Sequence, residues 1–170
     1  SKIELLVLDI DGVLTDGGLW YGENGDVFKR FSVKDGLGLK MLQKNNITIA
    51  FLSGSDHLSN KLRAQQLNID LCFSGIKNKF DKVKTLSNQL NIPLRNIAFV
   101  GDDVNDIPVQ QIIGLFLAPI DASNSVIKKA DAIMHLKGGK GAIRELAERI
   151  LEAKNKLNII REEGWKDKND

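Results

Sequence analysis

Cysteine is almost absent. Cys72 stands alone among 170 residues, so no intramolecular disulfide framework can form. Histidine is as scarce: His57 and His135 lie far apart, neither has a second histidine at ligand spacing, and both read as surface or packing residues. A charge of one sign is missing too. Lys+Arg total 24 against Asp+Glu 22, a formal +2, and no basic run exceeds two residues, so the phosphate-tracking electrostatics of a nucleic-acid binder are not there. The longest apolar stretches, Leu5–Leu8 and residues 112–120, fall well short of the ~20 residues that cross a bilayer, which excludes a membrane partner of that kind. No charged segment leads into a signal-type apolar run; with the single cysteine, this favours the cytoplasm. Internal repeats and low-complexity tracts are lacking as well.

Hydrophobic residues make up 42% of the chain and charged residues 27%, a globular balance that can bury a core. At roughly 100–200 residues per domain, one domain is expected. It is placed at residues 1–156, because the apolar pattern decays beyond Lys156. Residues 157–170 read as a solvated C-terminal tail: residues 161–170 hold three basic and four acidic residues around one anchor, Trp165.

Residues 3–10 form a buried strand, since Leu5, Leu6, Val7 and Leu8 show no polar alternation and need cover on both faces. Residues 47–52, 96–100 and 115–118 look the same, with weaker strands at 70–73 and 132–136. Helical spacing lies between them, in Leu37, Met41 and Leu42; Leu58, Leu62 and Leu67; Val83, Leu86 and Leu90; and Ile143, Leu146, Ala147, Ile150 and Leu151. This alternation predicts an α/β fold: a doubly wound parallel sheet with right-handed crossovers and helices on both faces. Such sheets bind ligands at the carboxyl ends of their strands.

Residues 17–32 break the rhythm. Asn24-Gly25 lies between two aromatic-bearing stretches and predicts a β-hairpin projecting from the end of the first strand. Trp20, Tyr21, Phe28 and Phe31 give this ribbon an apolar side that is marginal in water unless covered, and another subunit is the expected cover.

Asp9-Ile10-Asp11-Gly12 places two carboxylates on one face at the end of the first strand, followed by a glycine that lets a ligand approach the backbone. A second acidic cluster, Asp102-Asp103-Val104-Asn105-Asp106, follows another buried strand and reaches the same sheet edge. So many like charges need a compensating cation, and oxygen ligands without His or Cys select Mg²⁺. One or two of Asp103 and Asp106 are expected simply to cap the following helix. Ser53-Gly54 offers a hydroxyl and an amide after the second strand, expected at a helix N-terminus where anions bind. Lys79 opens the helix of residues 80–90. Singly, Ser53 reads as a cap and Lys79 as a solvated charge. Together they can hold a phosphate in line with a carboxylate nucleophile.

Asp9-x-Asp11-Gly-Val, Ser53, Lys79 and Gly101-Asp102-Asp103-x-x-Asp106, each after its own strand, resemble the four motifs of the haloacid dehalogenase superfamily of phosphohydrolases. The resemblance implies that Asp9 is the nucleophile forming an aspartyl-phosphate and Asp11 the general acid/base. It implies Mg²⁺ on Asp9, the Asp11 carbonyl and Asp102, with Ser53 and Lys79 on the phosphoryl oxygens and Asp106 or Asp103 orienting Lys79 or a metal-bound water. Caps in this superfamily lie between the first and second or the second and third motifs. Here 44 residues separate Asp9 from Ser53 and 26 separate Ser53 from Lys79, which implies a capless protomer whose site is open or covered by a neighbouring subunit.

Within the superfamily the chain is similar to the tetrameric 3-deoxy-D-manno-octulosonate 8-phosphate phosphatases of lipopolysaccharide biosynthesis. Asp11-Gly-Val-Leu-Thr15-Asp16-Gly, Lys34-Asp35-Gly-x-Gly38 and Gly138-Gly139-Lys140-Gly141-Ala-Ile-Arg144-Glu145 carry that likeness. It implies a homotetramer acting on a small sugar-acid phosphate, with Gly12, Gly54, Arg63, Lys140 and Arg144 as substrate-binding candidates. The glycine-rich loop taken alone is equally a plain strand-to-helix turn. One departure bears on the substrate: Ser55 stands where the octulosonate enzymes usually carry Arg. Phosphatases of sialic-type 9-phosphates share the scaffold and remain an alternative. A silent oligomerisation module of a sugar-nucleotide synthetase should have lost Asp9, Asp11 or Asp102, and all three are present. A receiver domain needs its acceptor Asp on a middle strand, where this chain has Leu52-Ser53.

Overall fold

The computed structural model describes residues 2–166. Six strands form one parallel sheet: β1 (Leu5–Leu8), β4 (Thr48–Leu52), β5 (Leu71–Phe73), β6 (Ile97–Val100), β7 (Leu115–Ala118) and β8 (Ala132–Ile133), in the spatial order β5-β4-β1-β6-β7-β8. β1 is central. Its Leu8 lies level with Phe51 of β4 on one side and Val100 of β6 on the other, so Asp9 and Gly101 follow at the height of Leu52, and Ser53 lies one residue further on.

Period-2 alternation divides β1 between two cores. Leu6 and Leu8 point into a cluster with α1 (Val33–Lys44), α2 (Leu58–Gln66) and α6 (Ala142–Ala153). Leu5 and Val7 point the other way, toward α3 (Lys79–Leu90), α4 (Ile107–Gln110) and α5 (Asn124–Ile127). Every residue of β1 is fully buried, which is why its sequence shows no polar alternation. The doubly wound parallel sheet expected from the sequence is therefore present. No element is inserted between the motif-bearing strands, among the described residues, beyond the hairpin and single helix–strand steps.

The hairpin consists of β2 (Trp20–Tyr21) and β3 (Val27–Phe28), paired antiparallel, with Gly22 N–H donating to Asp26 C=O at 2.8 Å to close the turn. Its strands are shorter than the sequence pattern implies. Trp20, Tyr21 and Phe28 stand 70%, 72% and 59% exposed. Phe31 departs from expectation: it packs against the chain's own core beneath the Arg63 guanidinium, 5.6 Å from the ring centroid, because α1 begins two residues later and pulls it inward.

The stretch after Lys156 also differs from a solvated tail. α7 (Leu157–Glu163) is helical, Leu157 is buried, and Trp165 packs on the core with the Lys44 ammonium 4.9 Å above its ring. Leu157 and Ile160, three residues apart, seat one face of this short helix, and Trp165 adds an anchor just beyond its end. Residues 167–170 lie outside the described residues.

Candidate active site

The carboxyl edge of the sheet gathers Asp9, Asp102, Asp106 and Lys79. Asp9 follows β1 directly, and its Oδ1 accepts from the Ile10 N–H at 2.7 Å. Lys79 opens α3, where Asn78 caps the helix by accepting from the Asp81 N–H. The Lys79 side chain is buried, with Nζ 2.9 Å from Asp9 Oδ2 and 2.6 Å from Asp106 Oδ1. Asp106 is fully buried as well. It occupies the cap position of α4 without capping it, because its Oδ2 turns back to accept the Asp102 N–H at 3.1 Å. The other proposed capping acid, Asp103, turns its side chain to accept the Val104 N–H beside it at 2.8 Å.

Three carboxylate oxygens, one each from Asp9, Asp102 and Asp106, lie within 4.8 Å of one another. Burial first, then the Asp106 charge, pushes the Asp9 carboxyl up to about 8 despite the nearby Lys79. Burial, Asp106 and Asp103 likewise raise Asp102 to about 7. Burial alone would lower the Lys79 ammonium, but Asp9 and Asp106 outweigh it and hold it above its usual range. One buried ammonium among these acids leaves negative charge uncompensated. Only oxygen donors are on offer, the set that suits Mg²⁺. Asp9 and Asp106 alike place one oxygen on Lys79 and the other on a backbone N–H. Gly12, at φ +83°, lets the Asp102 carboxylate lie against the chain; a Cβ there would run into it.

Asp11 points elsewhere. Its carboxylate lies 2.7 Å from Lys29 Nζ and accepts from Ser55 Oγ at 2.7 Å, so a contribution to an ion would come from its backbone carbonyl alone. Ser53 is buried at the end of β4, and its Oγ accepts from the Ser55 N–H at 3.1 Å and lies 3.0 Å from Ser55 Oγ. Ser53-Gly54 does not sit at a helix N-terminus as expected. α2 begins only at Leu58, with His57 as its cap, and Ser53 to Asp56 form a loop.

The remaining candidates divide. The glycine-rich loop packs onto the loop after β1: Gly139 N–H donates to Val13 C=O at 3.0 Å, and a Cβ on Gly138 would run into the Gly12 carbonyl. Lys140 is exposed, while Arg144 pairs with Glu148 at 2.7 Å. Arg63 donates to the Ser32 carbonyl at 2.8 Å and to Gln66 at 2.8 Å, away from the acidic cluster. Two polar residues without a signal in the local sequence, Lys29 and Asn60, complete the surroundings, together with Asp35 of the Lys34-Asp35-Gly-x-Gly38 stretch. Asp35 is buried and accepts the Arg144 and Gly141 N–H groups at 2.8 and 3.3 Å, fixing the start of α6 over α1; burial raises its carboxyl despite these bonds.

A buried acid pair with a lysine at one sheet edge can accept a phosphoryl group, and the comparisons agree. Residues 44–146 match the haloacid dehalogenase-like hydrolase family. The 3-deoxy-D-manno-octulosonate 8-phosphate phosphatase of Salmonella typhi is 39% identical over 158 residues, 93% of this chain and 84% of that protein. The chain belongs to the haloacid dehalogenase-like hydrolases, in the octulosonate 8-phosphate phosphatase family. A second member, from Haemophilus influenzae, is 39% identical over 94% of this chain and 89% of its own length. Among solved structures, the Moraxella catarrhalis phosphatase in complex with magnesium, phosphate and KDO superposes with a TM-score of 0.93 at 31% identity, covering 96% of this chain and 94% of that one. The cobalt-bound Haemophilus influenzae phosphatase gives 0.89 at 39% identity, covering 93% and 92%. Among the described residues no cap domain is inserted, and no helix is long and apolar enough to cross a membrane.

Proposed function

We propose that this protein is a Mg²⁺-dependent phosphomonoester hydrolase that converts 3-deoxy-D-manno-octulosonate 8-phosphate to the free sugar acid and phosphate, a step of lipopolysaccharide biosynthesis. The observation that carries the reading is the convergence of Asp9, Asp102 and Lys79 at the carboxyl end of β1, in a chain 39% identical over 158 residues to a phosphatase of that name.

Asp9 is the nucleophile: its Oδ2, paired with Lys79, attacks phosphorus and forms an aspartyl-phosphate while the phosphorus–oxygen bond to the sugar breaks. Asp11 gives its proton to the departing sugar oxygen and afterwards takes one from the water that hydrolyses the aspartyl-phosphate. Ser53 and Lys79 hold phosphoryl oxygens, and Asp106 anchors Lys79. When bound by Asp9, Asp102 and the Asp11 carbonyl, Mg²⁺ supplies the positive charge that lets two anions meet. Gly12 and Gly54 leave the backbone open to substrate, and Arg63, Lys140 and Arg144 are the candidate contacts for the sugar acid.

The unit proposed to carry the activity is residues 1–156, with residues 157–170 as an appendage. A homotetramer in the cytoplasm fits the exposed aromatic hairpin and the lone cysteine. A phosphate-release screen over octulosonate 8-phosphate, sialic-type 9-phosphates and small phosphomonoesters tests the substrate. Highest kcat/KM on the octulosonate ester is the expected result; preference for a 9-phosphate would reassign the substrate, and Ser55 would be the first residue to examine.

A further inference from the structure

Lys29 comes from the most exposed part of the molecule, yet its side chain is entirely buried. It follows Phe28 at the end of β3 and reaches back over the sheet edge. Its Nζ lies 2.7 and 3.0 Å from the two Asp11 oxygens, 3.0 Å from Ser55 Oγ and 3.0 Å from Asn60 Oδ1. An ammonium has three protons, and three side chains here accept them. Each acceptor is itself held. Asn60 is fully buried within α2 and donates to the Ser55 carbonyl at 3.2 Å and to Ser74 Oγ at 3.3 Å. Ser55 Oγ donates to Asp11 Oδ2 at 2.7 Å. Asp11 Oδ2 is thus hydrogen-bonded from outside its own loop by both Lys29 and Ser55, while Oδ1, buried and without a hydrogen bond, meets the Lys29 charge.

We propose that Lys29 is a positioning residue for the reaction: it fixes the Asp11 carboxyl group, with Ser55, in the orientation from which Asp11 serves the leaving oxygen. This rests on the reading of Asp11 as general acid/base. A short acidic side chain beside a glycine has several rotamers open to it. Proton transfer needs one that stays within about 2.6–3.2 Å of the reacting oxygen. Placement of that kind is worth about 10²-fold when lost through a shift near 1 Å. Lys29 also links the hairpin to the chemistry, since its backbone belongs to the ribbon while its charge belongs to the site. A direct grip on the substrate is the less favoured role, because its protons are already shared among Asp11, Ser55 and Asn60.

The test compares two esters on the Mg²⁺-loaded full chain. Octulosonate 8-phosphate loses an alkoxide that must be protonated, whereas p-nitrophenyl phosphate loses a stable phenolate that need not be. Because kcat/KM reports only steps up to departure of the alcohol, Lys29→Met should lower it roughly 10–100-fold on the sugar ester and leave the aryl ester within about threefold. Affinity for the product sugar acid, measured by calorimetry, should be unchanged. Lys29→Met added to Asp11→Asn should cost nothing further on the sugar ester. Ser55→Ala, which removes one of the two grips and leaves the hairpin's own sequence unaltered, should give the same selective pattern more weakly; it keeps the idea testable if Lys29→Met does not fold. Equal losses on both esters from Ser55→Ala, additivity with Asp11→Asn, or weakened product binding in Lys29→Met would overturn the proposal. Should Asp11→Asn itself show no leaving-group selectivity, the reading of Asp11 fails instead, and the two failures are distinct.

Discussion

Lys79 Nζ stands closer to Asp106 Oδ1, at 2.6 Å, than to Asp9 Oδ2, at 2.9 Å. Asp106 is fully buried and also accepts the Asp102 N–H, so it ties the lysine to the loop after β6, while the second ion pair of Lys79 goes to Asp9, the proposed nucleophile. Asp106→Asn keeps the shape and removes the charge that anchors Lys79. A hydrogen bond to a charged group contributes about 1.5–3 kcal/mol, so kcat should fall roughly 10–100-fold, with inhibition by inorganic phosphate weakened in parallel. Steady-state kinetics with phosphate as inhibitor measure both.

Metal removal should stop turnover. With Asp9 and Asp102 as ligands, excess chelator is expected to abolish phosphate release and Mg²⁺ to restore it. Ca²⁺ should restore little, because its larger and looser coordination misplaces the attacking oxygen. Full activity in chelator would contradict the assignment of the cluster.

The same acids make metal-free stability depend on pH. Asp9 is raised from 3.8 to about 8 and Asp102 from 3.8 to about 7. A raised carboxyl favours the protonated form in the folded state, so this contribution to stability is fully present below about pH 4 and lost as pH rises through 7 to 8. Thermal melts of chelated protein should therefore show a larger rise in Tm on adding Mg²⁺ at pH 8.5 than at pH 5.5. An equal or reversed difference would show that the acids are not the ion's ligands.

Trp20, Tyr21 and Phe28 expose a contiguous apolar ribbon that a lone hairpin of two-residue strands cannot shelter. Trp20→Ser with Phe28→Ser should shift the protein from oligomer toward monomer in sedimentation velocity. It should also lower kcat/KM on the sugar acid phosphate more than on a small phosphomonoester. Wild-type protein that sediments as a monomer at micromolar concentration would contradict the assembly.

Much of this arrangement was legible in the sequence, for physical reasons. Strands buried on both faces, such as β1 and β6, announce themselves by unbroken apolar runs, and the acids that end them are conspicuous because carboxylates are costly there. Lys79 could be placed because it opens a helix just after a strand. Lys29 could not: its neighbours Phe28 and Arg30 belong to a surface ribbon, and only the tertiary path of the hairpin turns its side chain inward. Asn60 was hidden likewise, a polar residue in an ordinary helix whose burial depends on what packs above it. Arg63 was singled out by the family resemblance, yet here it packs over Phe31 and bonds Ser32, contacts that join elements far apart in the chain.

The claim on which the account turns is that the phosphoryl group passes through Asp9. Rapid acid quench during turnover of the Mg²⁺-loaded protein, followed by borohydride reduction and peptide mass spectrometry, addresses it directly. An acyl phosphate at Asp9 is reduced to homoserine, so the account predicts homoserine at position 9, dependent on substrate and absent from Asp9→Asn, which should also release no phosphate. Wild-type turnover by Asp9→Asn, or reduction at another carboxylate such as Asp11 or Asp102, would contradict it.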